Sequence, residues 1–366
     1  MKVVQVQTQA EAAGAQRISD MVGAGLRERG HAVRTVFMYR KTSAYDADAF
    51  ADFILKKAPR GLAGQLTAAV GLARYLRKER PDAVICYQHY GNLFGTIGAR
   101  LAGTRRIIAN QNGAPQQRGV MGLLSTIDRF MGTIGLYQAN VVNSAWTEAQ
   151  FATYPAAYKR RMRRIDHGVT LPPARFDKAA ARRAFGLPEN AWLAITTGRQ
   201  NPSKNQIALV GALTTLPDLH VAVAGVGPER ERLVAFASDH GVLDRLHLVG
   251  EVPYDKIHDF LNTGDVFVFP STTETFGLSV VEAAIAGLPI ISSDLPVLRE
   301  VLSTEDGDRA ALFASSNDAA GIAKALAKLA ASPGLAERLA AAGQRLAEKY
   351  SPAAMCAGYE ALLAPR

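Results

Sequence analysis

Short apolar runs alternate along the whole chain with longer stretches in which apolar residues recur at helical spacing. In the first half, residues 3–7, 32–37, 83–87, 106–109 and 140–142 predict strands. A helical stretch from about Ala12 to Arg29 stops at Gly30. A longer one from about Leu62 to Arg80 ends before Pro81, as a residue ahead of proline disfavours helix. The second half repeats the rhythm, with predicted strands at 192–197, 221–224, 246–249, 266–269 and 289–292, each followed by a turn and a helix. Alternation of this length implies parallel sheets covered on both faces. Two such runs around Leu171-Pro172-Pro173 predict an α/β protein of two doubly wound domains facing a cleft.

Length agrees: 366 residues suggest about two domains. With 48% hydrophobic residues the cores need no covalent staple. Cys86 and Cys356 exclude a disulfide scaffold or a cysteine-rich zinc module and fit a reducing compartment. The opening residues 1–6 read as a strand, without the features of a signal peptide. The best candidate membrane span, residues 120–142, is broken by Asp128 and Arg129. A cytoplasmic, soluble or peripheral protein is expected.

Charge separates the halves. Residues 1–173 hold 24 Lys and Arg against 11 Asp and Glu, a net of +13, and the remainder hold 18 against 22, a net of −4. Only the first half is therefore expected to meet an anionic partner, if its basic surface is more than solvated charge. Nucleic acid is disfavoured, because the basic residues are not interleaved with stacking aromatics.

Ligands of doubly wound sheets bind beyond the carboxyl ends of the strands, so the residues after each strand carry the candidate chemistry. After 192–197 comes Gly198-Arg199-Gln200-Asn201-Pro202-Ser203-Lys204-Asn205. Cations near a helix start, already the positive end of its dipole, point to an anion held between them. Arg199 and Lys204 read as a clamp for a diphosphate. After 221–224, Gly225-Val226-Gly227-Pro228 is a turn that lets a ligand approach the backbone. After 266–269, the segment from Pro270 to Ala283 places Glu282 inside an apolar helix. A carboxylate there is costly unless it is paired or binds a ligand, and its acceptor oxygens suit the two hydroxyls of a ribose. Glu274 lies in the preceding loop. Phe276, Gly277 and Leu278 are expected to present backbone N–H groups at the helix start.

With these motifs in order, the sequence resembles the retaining glycosyltransferases of GT-B fold, the large group-1 family (family four). The resemblance is strongest from Ala194 to Val301, through Gly198-Arg199…Lys204, Gly225-Val226-Gly227-Pro228, Gly250, Asp265…Pro270-Ser271, Glu274…Glu282, Ala286-Gly287-Leu288-Pro289 and Glu300. It implies a GT-B fold of two Rossmann-like domains around a central cleft. Residues 1–172 would bind acceptor and 173–349 the nucleotide sugar, and the tail 350–366 would include a helix crossing back to the first domain. It implies that Arg199 and Lys204 hold the diphosphate of a UDP- or GDP-sugar and that Glu282 holds its ribose. Glu274 would hold the hexose with the backbone at Phe276, Gly277 and Leu278. Gly14 would approach the phosphates from the other domain, with Gly198, Gly225 and Gly227 also on the donor side. Ser144 matches a family serine with a structural role.

Departures concentrate in the first half. Ala13-Gly14 leaves one glycine where two are common. Asn112, beside Gly113, stands where many members have a histidine, which leaves the acceptor side to these two residues. His167-Gly168-Val169-Thr170 replaces a common Asn-Gly-Val-Asp.

Retaining transfer on one face needs no protein nucleophile, because the leaving diphosphate oxygen can take the proton of the incoming hydroxyl. Arg199 and Lys204 suit the departing charge. No Asp-x-Asp is read in a strand-end loop and no metal-spaced histidine cluster is seen, so neither metal nor other cofactor is expected. His89, in the turn after residues 83–87, can orient acceptor or phosphate, or simply satisfy the turn. Residues 53–80 and 119–136 combine basic and apolar positions, which fits an anionic inner-membrane surface and a polyprenyl- or other lipid-linked acceptor. Ordinary packing is the expected role of their apolar residues. The alternative readings are a nucleotide-sugar epimerase or a phosphorylase on the same fold, and a non-catalytic nucleotide-sugar-binding protein. The sequence shows neither the acid/base set nor the cofactor lysine that the two enzymes need.

Overall fold

The computed structural model describes residues 1–11, 13–315 and 319–364. The chain forms two compact units, one of Met1–Gly168 with Tyr350–Arg366 and one of Val169–Lys349. Counted by these units the charge stays divided: 25 basic against 12 acidic residues, +13, and 17 against 21, −4.

The first unit carries seven strands: β1 (Lys2–Ala10), β2 (Ala32–Arg40), β3 (Ala51–Leu55), β4 (Ala83–Cys86), β5 (Arg106–Gln111), β6 (Ala139–Val142) and β7 (Met162–Arg164). They pair in parallel in the order β3-β2-β1-β4-β5-β6-β7. The order reverses between β1 and β4, which opens a crevice at their carboxyl ends. Val4, Val6, Val84 and Ile107 pack under the helices, and β4 and β6 are buried at every position. Such runs lack strand alternation because both faces are covered.

The first helix is Gly14–Glu28, and Ala12, where the pattern would start it, lies outside the described residues. The last helix, Pro352–Leu363, packs on it in the same unit. Ser351 caps that last helix by accepting from the Ala354 N–H, and Pro352 suits its first turn. A Cβ on Gly25 would come within 2.3 Å of Cys356 Sγ, and one on Gly168 within 2.6 Å of Pro352 Cα. Glycine at these two positions is what lets the tail close on the unit.

The second unit carries β8 (Trp192–Thr197), β9 (Leu219–Ala224), β10 (Leu246–Gly250), β11 (Val266–Phe269), β12 (Ile290–Ser293) and β13 (Ala311–Ala314), parallel in the order β10-β9-β8-β11-β12-β13. Here the reversal falls between β8 and β11. Asp265, part of the sequence motif, is a structural tie. It accepts from Arg182 Nη2 at 2.8 Å and from the Leu193 N–H at 2.7 Å, and so joins the starts of β11 and β8.

The packing expected for the apolar residues of 53–80 and 119–136 holds for Leu72, Leu76, Leu124 and Met131. It fails for Leu62, Leu66, Val70, Val120, Met121, Leu123, Phe130 and Ile134, which face solvent. Their helices, Gly61–Glu79 and Gly119–Ile134, bury only one side.

Candidate functional site

The loops leaving β8, β9 and β11 are tied together at the carboxyl edge of the second sheet. The Gly198 N–H donates to Ala224 O at 2.9 Å and the Gln200 N–H to Val226 O at 3.0 Å. The Glu229 N–H returns to Gln200 O at 3.0 Å, and the Thr272 N–H reaches Ser203 O at 2.8 Å. The result is one framework around the switch point, where doubly wound sheets hold ligands.

The glycines of this framework have a packing duty. A Cβ on Gly225 would sit 2.1 Å from Gly198 O, and one on Gly227 would sit 2.2 Å from Gln200 O. Gly225 and Gly198 also take φ of +128° and +145°, which side chains rarely adopt. The turn after β9 therefore admits its neighbouring loop. Gln200, not singled out by the sequence, is fully buried at this junction and donates from Nε2 to Gly225 O at 2.9 Å. Its signal was a long polar residue three positions after the end of a buried strand.

Lys204 ends a short 3₁₀ turn, Pro202–Lys204, and the following α-helix begins only at Gln206. The Asn201 side chain caps the turn, accepting from the Lys204 N–H at 3.1 Å and from Ser203 Oγ at 2.9 Å. This fixes the root of the Lys204 side chain. Its ammonium pairs with the Glu274 carboxylate and lies 5.3 Å from the centre of the Phe269 ring, at the end of β11. The sequence assigned the two charges to different parts of a ligand, and the structure pairs them directly. Arg199, on the same loop, is exposed and makes no ion pair among the described residues.

Glu282 is 3% exposed on the helix Leu278–Ile285, among Val280, Val281, Ala283 and Ala284. Gly277 precedes this helix with φ of +87°, and a Cβ there would press on Leu298 and Val280 at 3.1 Å. The helix thus starts abruptly with its first N–H groups at the same edge as Glu274. Phe276 is buried. Arg199, Lys204, Glu274, Phe276, Gly277 and Leu278 thus share the carboxyl edge of one sheet, with Glu282 about one helical turn inward.

The remaining candidates belong to the first unit. Gly14 opens the first helix after β1, His89 opens the helix His89–Leu101 after β4, and Asn112 and Gly113 follow β5. They too lie at a carboxyl edge, around the β1/β4 reversal. Burial holds the His89 imidazole below its ordinary value, so it is neutral near pH 7. It lines a small pocket with Asn92, Gln111 and Asp128, with room for about one water. Asp128 was read only as a break in an apolar run. It accepts from Tyr158 Oη at 2.6 Å, Gln111 Nε2 at 3.0 Å and Tyr137 Oη at 3.2 Å, and burial raises its carboxyl to about 6. Ser144 caps the helix Ala145–Ala149 by accepting from the Thr147 N–H at 3.0 Å. Among the described residues, no group of three or more His, Cys, Asp or Glu is placed to hold a metal ion.

Comparison with known proteins bears on this edge. Residues 177–346 match the family model described as glycosyl transferases group 1. The chain is 32% identical over 214 residues to a D-inositol 3-phosphate glycosyltransferase of Acidothermus cellulolyticus, covering 54% of this chain and 47% of that protein. It is 31% identical over 180 residues to the lipopolysaccharide core biosynthesis glycosyltransferase LpsD of Rhizobium meliloti, covering 49% and 51%. The chain spans about half the length of these relatives. HepE of Anabaena, solved with UDP-glucose, superposes with a TM-score of 0.84 at 14% identity over 99% of both chains, which shows a shared GT-B fold.

Proposed function

We propose, from the match of residues 177–346 to the glycosyl transferases group 1 model, that the protein is a retaining glycosyltransferase. It moves a hexosyl unit from a UDP- or GDP-linked sugar to a hydroxyl of a glycan or lipid-linked acceptor, in cell-surface polysaccharide or glycolipid synthesis. The observation that carries this reading is the Lys204–Glu274 pair, held over Phe269 by a capped turn at the reversal of the second sheet.

In this reading the donor diphosphate takes Lys204 and Arg199 as its counter-charges. Glu274, released from its salt bridge, turns to the hexose hydroxyls with the amides at Phe276, Gly277 and Leu278. Glu282 receives the ribose hydroxyls. The HepE complex with UDP-glucose supports a donor of this class. The bond from the anomeric carbon to the diphosphate oxygen breaks and the acceptor oxygen bonds to that carbon on the same face. The acceptor proton passes to the departing oxygen, whose charge Arg199 and Lys204 stabilise without a metal ion. Gly14, His89, Asn112 and Gly113 are the groups of the first unit assigned to the phosphates and the acceptor. Neutral His89 can accept a hydrogen bond from an acceptor hydroxyl.

The reaction is assigned to the cytoplasmic side, on the inner face of the membrane. No helix among the described residues is long and apolar enough to cross it. The test is turnover of UDP- and GDP-hexoses with glycan and lipid-linked acceptors, the product anomer read by NMR. Transfer with the donor configuration retained is expected. Inverted product, or no transfer from any donor that binds, contradicts the proposal.

A further inference from the structure

The first unit holds a second cavity, at the end of its sheet opposite the carboxyl edge. It is an open pocket of about 440 Å³ lined by Arg106, Arg160 and Arg161, with Tyr137, Gln138, Gly135 and Ala364. Arg106 begins β5 and Arg160 and Arg161 lead into β7, so the pocket lies at the amino ends of these strands. No acidic side chain lines it, and Arg106 and Arg160 have no ion pair among the described residues. Arg161 Nη1 is held by Ala157 O at 3.0 Å, which orders its guanidinium. Gln138 Nε2 donates to Leu362 O at 3.1 Å, which fixes another wall. Three guanidinium groups around a cavity within the ~300–1,000 Å³ of typical ligand sites suit an anion with several oxygens.

The rim of the pocket is apolar. Gly135, in its lining, directly follows Ile134, and Phe130 lies one turn back on the same face of the helix Gly119–Ile134. Arg100 donates from Nε to Leu136 O at 2.8 Å and from Nη2 to Gly135 O at 3.1 Å, which brings the end of the helix His89–Leu101 to the same place. Leu101 is 71% exposed, Phe130 62% and Ile134 53%. The apolar exposure continues along the same helix through Leu123 and Val120. A soluble anion would use the arginines and leave this rim without a role. An anionic phospholipid uses both, with its phosphate among the guanidinium groups and its chains against the exposed side chains.

We propose that this pocket and its rim form a docking site for the phosphate headgroup of an anionic phospholipid surface. The inference rests on the inner-face placement in the transferase reading but uses none of the residues assigned to the donor, so a failure to float leaves the donor assignment untouched. The test is flotation of the full chain with vesicles of phosphatidylglycerol and phosphatidylcholine at low salt, with inorganic phosphate as the soluble probe. The chain floats with the mixed vesicles, does not float with phosphatidylcholine alone, and is released as salt screens the charges. Arg106→Gln and Arg160→Gln each weaken binding roughly fivefold. Phe130→Ser with Ile134→Ser weakens it about tenfold or more. All four side chains are at least partly exposed, so the melting temperature stays that of the parent. Flotation unchanged in both sets of variants overturns the proposal. So does a parent protein that is stabilised by inorganic phosphate but does not float, because the pocket then takes a free anion.

Discussion

Lys204 shows how one side chain can be singled out from sequence while its partner is missed. A cation in the loop after a buried strand was legible, because charge there has no packing reason. Its partnership with Glu274, 70 residues away, was not, because it depends on how β8 and β11 neighbour each other. The pairing shapes the first prediction. Lys204→Ala removes a charge-assisted contact of about 1.5–3 kcal/mol, so kcat/KM for transfer falls about ten- to a hundredfold. It also leaves Glu274, 10% exposed, without its counter-ion. Adding Glu274→Gln relieves that carboxylate and recovers melting temperature but not kcat/KM. Recovered activity in the double variant would reduce Lys204 to a neutraliser of Glu274. Asp128 gives a prediction of opposite kind. Burial lifts its carboxyl from 3.8 to about 6. A carboxyl that holds its proton more tightly when folded stabilises most below about pH 4, and that contribution is lost as pH rises through about 6. Asp128→Asn removes this loss, so its stability relative to the parent rises between pH 4 and 7, by up to about 3 kcal/mol. Denaturant unfolding at a series of pH values reads the difference, and a flat difference would show that Asp128 is not buried as proposed.

At the scale of elements, the central strands were legible and three of the four edge strands were not. The expected residues 192–197 and 266–269 coincide with β8 and β11, whose apolar runs reflect cover on both faces. The strands without a sequence signal are β3, β7 and β13, each at an edge of its sheet. β7 reads Met-Arg-Arg with both arginines exposed, and nothing in such a run announces a strand. An edge strand is defined by its one neighbour, which short-range pattern does not report. The tail helix depends on long-range fit in the same way. It buries Met355, Cys356, Tyr359 and Leu363 in the first unit, and Tyr359 Oη donates to Asn110 Oδ1. Tyr359→Ala therefore opens a cavity and strands a buried polar group, at a cost of about 3–5 kcal/mol. The first unit melts earlier while the second is unaffected. Hydrogen exchange on residues of both units checks this, and equal loss of protection in the two would contradict it.

For the whole molecule, the uneven charge of the two units was visible in the sequence before any fold was known. The basic unit carries both the arginine pocket and the exposed apolar helices, whereas the slightly acidic unit carries Arg199 and Lys204 on the loop after β8. The loop-edge constellation proposed for the donor could be assembled from sequence because motifs resembling those of group 1 run in order along one stretch of chain. The arginine pocket could not, because Arg106 and Arg160 are distant in sequence and meet only across β5, β6 and β7. The central claim is that the loop edge of the second sheet grips a nucleoside diphosphate through Arg199 and Lys204. Its most direct test is calorimetric titration of UDP and GDP into the parent and into Arg199→Ala and Lys204→Ala. One of the two nucleotides should bind the parent and lose about tenfold or more in affinity with each substitution. Equal affinity in all three proteins would contradict the account.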